Sequence, residues 1–260
     1  MSLIKTVTSK VSKRDLIIAI GSFVAAVILN ATVFTVNRFI DKTFFPSTYR
    51  EFTIDDALKY YPIKENNTWV YEGWTKITEE DGNVVTKNFD DYTVRITKVI
   101  RKQNLVAALV NKKNGPFDDG KDRKSLLIFI GGRLYEIGDE TRVEEIIKTI
   151  ETKQYPDDYI DVEGEESYDF PLYVGKHFGF VGGFFSASGK LYNNRVGESA
   201  EMSISGVANH VSCFKVLYEG APDENYTWFC PGIGEVEYSY THHGPPQDIY
   251  YRIKSYYVSD

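Results

Sequence analysis

The sequence predicts a mainly β protein: an N-terminal transmembrane helix, then a curved antiparallel, half-barrel-like sheet with an internal duplication and one or two short covering helices. Three observations carry this expectation. The run Leu16–Val36 holds 21 residues without a charge. The 260 residues include 16 Phe, 19 Tyr and 3 Trp but only 2 Met, a composition that leans toward strands. Beyond residue 60, stretches of alternating polarity are separated by turn residues.

The apolar run comes first. At about 1.5 Å per residue, 21 residues make a helix of roughly 32 Å, which matches a hydrocarbon core of about 30 Å. A cleaved signal peptide fits less well. Its apolar region would be shorter, and the best cleavage candidate, Leu29-Asn30-Ala31, begins with a bulky residue. No Cys follows the segment until Cys213, so lipoprotein processing is not expected. Lys5, Lys10, Lys13 and Arg14 precede the run, while Arg38 and Lys42 follow it. This bias keeps residues 1–15 in the cytoplasm and puts 37–260 outside, with membrane lipid as the partner of residues 16–36. The net charge of −7 argues against a nucleic-acid partner.

The outer part divides into a first β-rich unit, 37–160, and a second, 161–260. Thr53 and Asp56 read as a capping box for a short helix that must stop before Pro62. Strands are expected over Thr68–Lys76, Tyr92–Ile100, Leu105–Asn111 and Leu126–Ile130. The gaps between them are too short for parallel crossovers. Val143, Ile146, Ile147 and Ile150 form one apolar stripe, so a helix near 141–153 should cover a sheet face, with Thr141 and Glu144 as its capping box. Strands over Val211–Glu219, Tyr226–Cys230, Val236–Tyr240 and Ile249–Tyr257 complete the pattern.

An internal echo runs through the chain. Tyr61-Pro62-Ile63 with Trp69 and Tyr71 returns 109 residues later as Phe170-Pro171-Leu172 with Phe178 and Phe180, and Asn66 is matched by Gly175. Val94, Ile96 and Val99 correspond to Met202, Ile204 and Val207 at a spacing of 108, and Phe129 corresponds to Phe229 at 100. Duplication accounts for the echo. Two domains and two halves of one sheet both remain open.

Tyr61-Pro62-Ile63-Lys64-Glu65-Asn66-Asn67-Thr68-Trp69-Val70-Tyr71 and Trp228-Phe229-Cys230-Pro231-Gly232-Ile233-Gly234-Glu235-Val236 carry a resemblance. Together they resemble the β-rich envelope domains of bacteria, often lipoproteins, in which a YPL-x-x-G-N-x-W-x-Y opening and a W-Y-A-P-G-V-G-x-V closing strand recur. The resemblance covers about residues 57–260. It departs at the lipid-anchoring Cys, replaced here by a helix, and at Asn66, where the pattern prefers Gly. It implies a curved sheet outside the inner membrane and carries no catalytic residues.

Candidate chemistry is sparse. Cys213 and Cys230 flank a turn centred near residue 222 and fall opposite one another or one step off. Outside the cytoplasm this favours a disulfide; the other reading is two buried thiols. His242-His243-Gly244-Pro245-Pro246-Gln247-Asp248 is the concentrated His/carboxylate segment, but adjacent His residues on a strand diverge, and it reads as a solvated turn. No Gly-x-Ser-x-Gly elbow or phosphate loop is found, and the acidic pairs Asp118-Asp119 and Asp157-Asp158 read as solvated runs. No catalytic residue, metal ligand or cofactor is assigned. Tyr238, Tyr240, Tyr250 and Tyr251 have two uses: a binding surface on the outer sheet face, or rings capping a thin β core. The leading expectation is non-enzymatic binding of a protein or apolar ligand at the cell envelope, as a scaffold or a subunit of a membrane complex. The competing one is a membrane-anchored hydrolase using Asp/Glu or His243 with Asp248.

Overall fold

The Thr53 hydroxyl accepts from the Asp56 N–H at 3.2 Å, and the Asp56 carboxylate accepts from the Thr53 N–H at 3.4 Å. This capping box starts helix α1 (Ile54–Tyr60), as expected, and the chain turns extended at Tyr61 ahead of Pro62. The computed structural model describes residues 53–79, 81–102, 105–116, 122–156, 160–162, 166–179, 193–219, 224–241 and 247–258. The expected membrane segment 16–36, Phe180, the His242–Pro246 turn and the two Asp-Asp pairs lie outside the described residues. Among those described, no helix is long and apolar enough to cross a membrane.

Six strands follow α1: β1 (Thr68–Thr78), β2 (Val84–Lys102), β3 (Leu105–Lys113), β4 (Arg123–Ile130), β5 (Arg133–Ile137) and, after helix α2 (Glu140–Thr152), β6 (Glu166–Asp169). Six more complete the chain: β7 (His177–Phe178), β8 (Asn193–Ile204), β9 (Ala208–Glu219), β10 (Glu224–Cys230), β11 (Gly234–Thr241) and β12 (Gln247–Tyr257). All twelve form one antiparallel sheet in the order β6-β5-β4-β3-β2-β1-β12-β11-β10-β9-β8-β7. This is an up-and-down meander whose first and last strands pair, so the two β-rich stretches are halves of one sheet. The sheet is nearly closed. Its end strands meet where the Gly179 N–H donates to Glu166 Oε1 at 3.1 Å and the Tyr168 and Phe178 rings lie 6.0 Å apart.

Curvature gives the sheet an inside and an outside. Trp69, Tyr71, Tyr92, Ile96, Val106, Ala108, Val110, Phe129, Tyr168, Phe170, Phe229 and Tyr251 belong to one buried core. A second core forms on the other face of β3, β4 and β5, where Leu105, Ala107, Leu126, Ile128 and Ile137 meet Val143, Ile146 and Ile150 of α2. The apolar stripe thus covers a sheet face as expected. β3 and β4 read as unbroken apolar runs because both of their faces are buried. The cap of α2 differs from expectation. Asp139, not Thr141, is the N-cap, its side chain accepting from the Arg142 N–H at 2.9 Å. Asp caps as well as Thr, so two overlapping signals competed and the upstream one prevailed.

The two halves share a corner. Asn66 and Gly175 both adopt a left-handed backbone, φ 72° and 90°. The Asn66 N–H donates to Ile96 O at 2.9 Å and the Ile96 N–H to Asn67 O at 3.0 Å; likewise Gly175 to Val196 O at 2.8 Å and Val196 to Lys176 O at 2.9 Å. The side chains follow: Asn67 Nδ2 donates to Pro62 O at 2.8 Å and Lys176 Nζ to Pro171 O at 3.1 Å. Each corner also packs on the opposite half, Tyr61 on Phe229 and Phe170 on Phe129, both pairs with centroids 6.1 Å apart. The partner of Ile96 is therefore Val196, not Ile204, which corrects the expected spacing of 108 to 100. The slip was eight residues, an even number, so strand alternation could not detect it.

Candidate functional site

A cavity of about 350 Å³ lies in the barrel interior, lined from both halves. Six tyrosines border it: Tyr61, Tyr71 of β1, Tyr92 of β2, Tyr168 of β6, Tyr238 of β11 and Tyr251 of β12. Tyr71 meets Tyr251 edge-on at 5.2 Å, Tyr92 meets Tyr251 edge-on at 5.6 Å, and Tyr238 stacks on Tyr251 at 4.9 Å. Edge-to-face and offset arrangements suit the ring quadrupoles and fix the rings against one another. Arg123, Lys124, Gly115 and Gly138 line the cavity where β3 to β5 end.

Three further charged residues line it, Lys112, Glu136 and Glu235. On β3, Val106, Ala108 and Val110 face inward, and continued alternation brings Lys112 to the same face. Glu136 follows inward-facing Leu134 on β5 in the same way. Between them on β4 stands the small Ser125, over which Lys112 Nζ reaches Glu136 Oε1 in an ion pair. These two side chains retain 27% and 33% of their exposure, so the pair opens onto the cavity. Burial pushes the Lys112 ammonium down, but the Glu136 carboxylate outweighs it and holds the group above its ordinary value. Glu136 mirrors this: burial raises it, Lys112 prevails, and the carboxyl sits below the usual range.

Glu235 comes from the other half, and a β-bulge aims it. β10 and β11 pair Trp228 with Glu237 but Phe229 with Glu235, so Val236 is the extra residue and Glu235 joins the face of Phe229. Tyr168 Oη donates to Glu235 Oε1 at 2.8 Å, and Tyr71 Oη donates to the Glu235 carbonyl at 3.0 Å. Burial raises the Glu235 carboxyl above its ordinary value; the Tyr168 hydrogen bond and the Lys112 charge oppose this, and the nearby Glu136 charge adds to it. Tyr61, Tyr71, Tyr168 and Tyr251 are all held well above the usual phenol range, by burial first and by Glu235 in addition. They stay neutral, as rings and hydroxyl donors.

The ladder divides the tyrosines for which an outer surface and a core-capping role were both open. Tyr238 pairs with Tyr251, and both line the cavity; Tyr240 packs against the inner core. Tyr250 faces out, stacked on Trp74 at 6.0 Å, with its hydroxyl donating to Glu237 at 3.3 Å. Adjacent Tyr250 and Tyr251 must diverge on a strand, which explains the division. Cys213 and Cys230 are joined in a disulfide, with Cα atoms 4.2 Å apart. Asp248 pairs with Lys76 at 3.7 Å, while His243 lies outside the described residues. Among the described residues, no group of three His, Cys, Asp or Glu could hold a metal ion. Lys112, Glu136 and Glu235 were missed from sequence. Their only signal was a charged residue falling on the inward register of an apolar strand.

The class this geometry defines is a nearly closed antiparallel β barrel with a tyrosine-lined, partly charged interior. No family model matches the chain, and neither does any curated protein. Two solved structures are similar in outline. One, from Bacteroides fragilis, is named as an exported protein with a YmcC-like fold; it is 10% identical, with a TM-score of 0.39, over 76% of this chain and 99% of its own. The other, from Parabacteroides distasonis, is named as a lipoprotein; it is 13% identical, with a TM-score of 0.39, over 76% of this chain and 98% of its own.

Proposed function

We propose that this protein is a single-pass, membrane-tethered binding protein whose β domain lies outside the cytoplasm and holds a small ligand in the barrel interior without transforming it. The uncharged run Leu16–Val36, the lysines and arginine before it and the Cys213–Cys230 disulfide support the placement. The cavity carries the binding role. A space of about 350 Å³ bordered by six tyrosines with a few polar groups has the size and lining of a small-molecule site. Of the charged groups on the lining, Lys112 and Glu136 neutralise each other, which suits fixed recognition better than a nucleophile or base.

Two experiments test this. Protease added to sealed right-side-out membrane vesicles should cleave residues 37–260; protection of that region overturns the placement. N-phenyl-1-naphthylamine, a neutral apolar fluorophore, should brighten on binding the full-length protein in detergent above a detergent-only control. Val110→Trp, which fills the cavity, should abolish the gain. Equal brightening by the variant overturns binding in the interior.

A further inference from the structure

The interior of the barrel is unbalanced in charge. Lys112 is ion-paired with Glu136 and reaches Glu235 only through its field, so the second carboxylate shares the cavity without an ion pair of its own among the described residues. Its hydrogen bond comes from Tyr168, a neutral phenol. A half-buried carboxylate whose side-chain hydrogen bond comes from a neutral donor, and whose nearby cation is shared with a second carboxylate, carries a desolvation cost that an added cation would offset. The bulge at Val236 is what turns this carboxylate inward, so its position is built by the backbone.

Around Glu235 the walls are aromatic. Tyr71, Tyr92, Tyr168 and Tyr251 border the same cavity, and the carboxylate acts electrostatically on Tyr71, Tyr168 and Tyr251. Neutral phenol rings present negative faces, and several converging on one space attract an ammonium group, more so out of water. From these placements we infer that the cavity selects a small organic cation, an alkylated ammonium that sits against Glu235 among the tyrosine rings. This rests on the interior-binding reading above and names its ligand class.

Two features weigh on the other side. Arg123 and Lys124 line the cavity near its rim, which favours an anion there. Both residues are exposed, so their field is screened within about 10 Å at 0.1 M salt. An anion moving further in would meet Glu136 and Glu235, while the one inner cation is already paired. The deeper part of the site therefore decides the class.

A matched set of probes of nearly equal shape tests it on full-length protein in detergent by titration calorimetry: choline, its neutral isostere 3,3-dimethylbutan-1-ol, and the anion 3,3-dimethylbutanoate. Choline should bind about tenfold more tightly than the neutral isostere, the scale of a desolvated cation among aromatic rings. Glu235→Gln should erase that preference while leaving the far-UV circular dichroism unchanged. If the neutral isostere or the anion binds as well as choline, the cation class falls and interior binding stands. If none of the three binds while the naphthylamine still brightens and Val110→Trp still abolishes it, the cation class falls alone. If the fluorophore also fails, both fall. The three-probe comparison on the unaltered protein decides the class even if Glu235→Gln does not fold.

Discussion

The two halves of the barrel share a meander and a corner but treat their outer faces differently. In the first half, the outer side of β3 to β5 is apolar and lies under α2, with Ile150 and Ile137 fully buried. In the second, Lys215 lies 4.6 Å from the Tyr226 ring centroid and 5.7 Å from that of Trp228, and Glu237 accepts from the hydroxyls of Tyr226 and Tyr250. No helix is present among the described residues of this half; instead the disulfide ties β9 to β10. A sheet needs its inner face buried to fold, whereas its outer face can be covered by a helix or left to polar and aromatic pairs. Halves that share a meander and a corner therefore need not share their means of stabilisation.

The contrast can be broken from either side. Ile150→Ala removes a fully buried side chain between α2 and the sheet and should cost about 2–5 kcal/mol, read from urea unfolding. Converting both Cys213 and Cys230 to Ser opens a bridge between residues 17 apart and should cost roughly 3 kcal/mol on the loop-closure model. If the two halves are stabilised by these separate means, the losses should add in the triple variant within about 0.5 kcal/mol. Marked non-additivity would show that cover and bridge act on one cooperative element.

The charged interior sharpens the comparison, since one carboxylate comes from each half. The Glu235 carboxyl is raised above its ordinary value of 4.5, so the stability it contributes is present below that value and is lost as pH rises through the raised one. Glu136 is lowered, so its contribution is present above the ordinary value and is lost only as pH falls through the lowered one. Glu235→Gln should therefore be more stable than the parent at pH 7, by about 1 kcal/mol. The gap should close as pH falls toward 4.5, followed by denaturation midpoints across that range. A gap that stays constant with pH would place the benefit outside Glu235 ionisation.

The smallest effect concerns the shared corner. Asn66 holds φ 72° where its counterpart is Gly175, so Asn66→Gly should stabilise by about 0.5 kcal/mol or less. The gain is limited because Asn66 Oδ1 also accepts from Arg95 Nη2 at 2.7 Å, a contact that glycine forfeits. Gly175→Asn should lose a comparable amount. A loss at both positions would mean that the Arg95 contact outweighs the backbone preference.

Much of this was legible without coordinates. The Thr53–Asp56 box, the stripe Val143–Ile150, the two aromatic-proline corners and the facing cysteines all rest on patterns spanning a few residues or one hairpin. The strand positions β5 to β8 were harder. β6 and β7 have four and two residues, too few to display an alternation. The tyrosines were seen as a group because they are close in sequence, whereas the fold sorts them by face, Tyr238 and Tyr251 inward and Tyr250 outward.

By itself, the sequence determined that the described chain would be an antiparallel meander with repeated corners, because turn chemistry and period-two alternation are local and each acts within a dozen residues. Only the tertiary structure decided that the sheet curls until β6 meets β7, that Lys112, Glu136 and Glu235 share one cavity, and which tyrosines look into it. Those outcomes depend on register and on bulges such as the one at Val236. A bulge inverts the direction of every side chain beyond it while leaving composition and periodicity on either side unchanged.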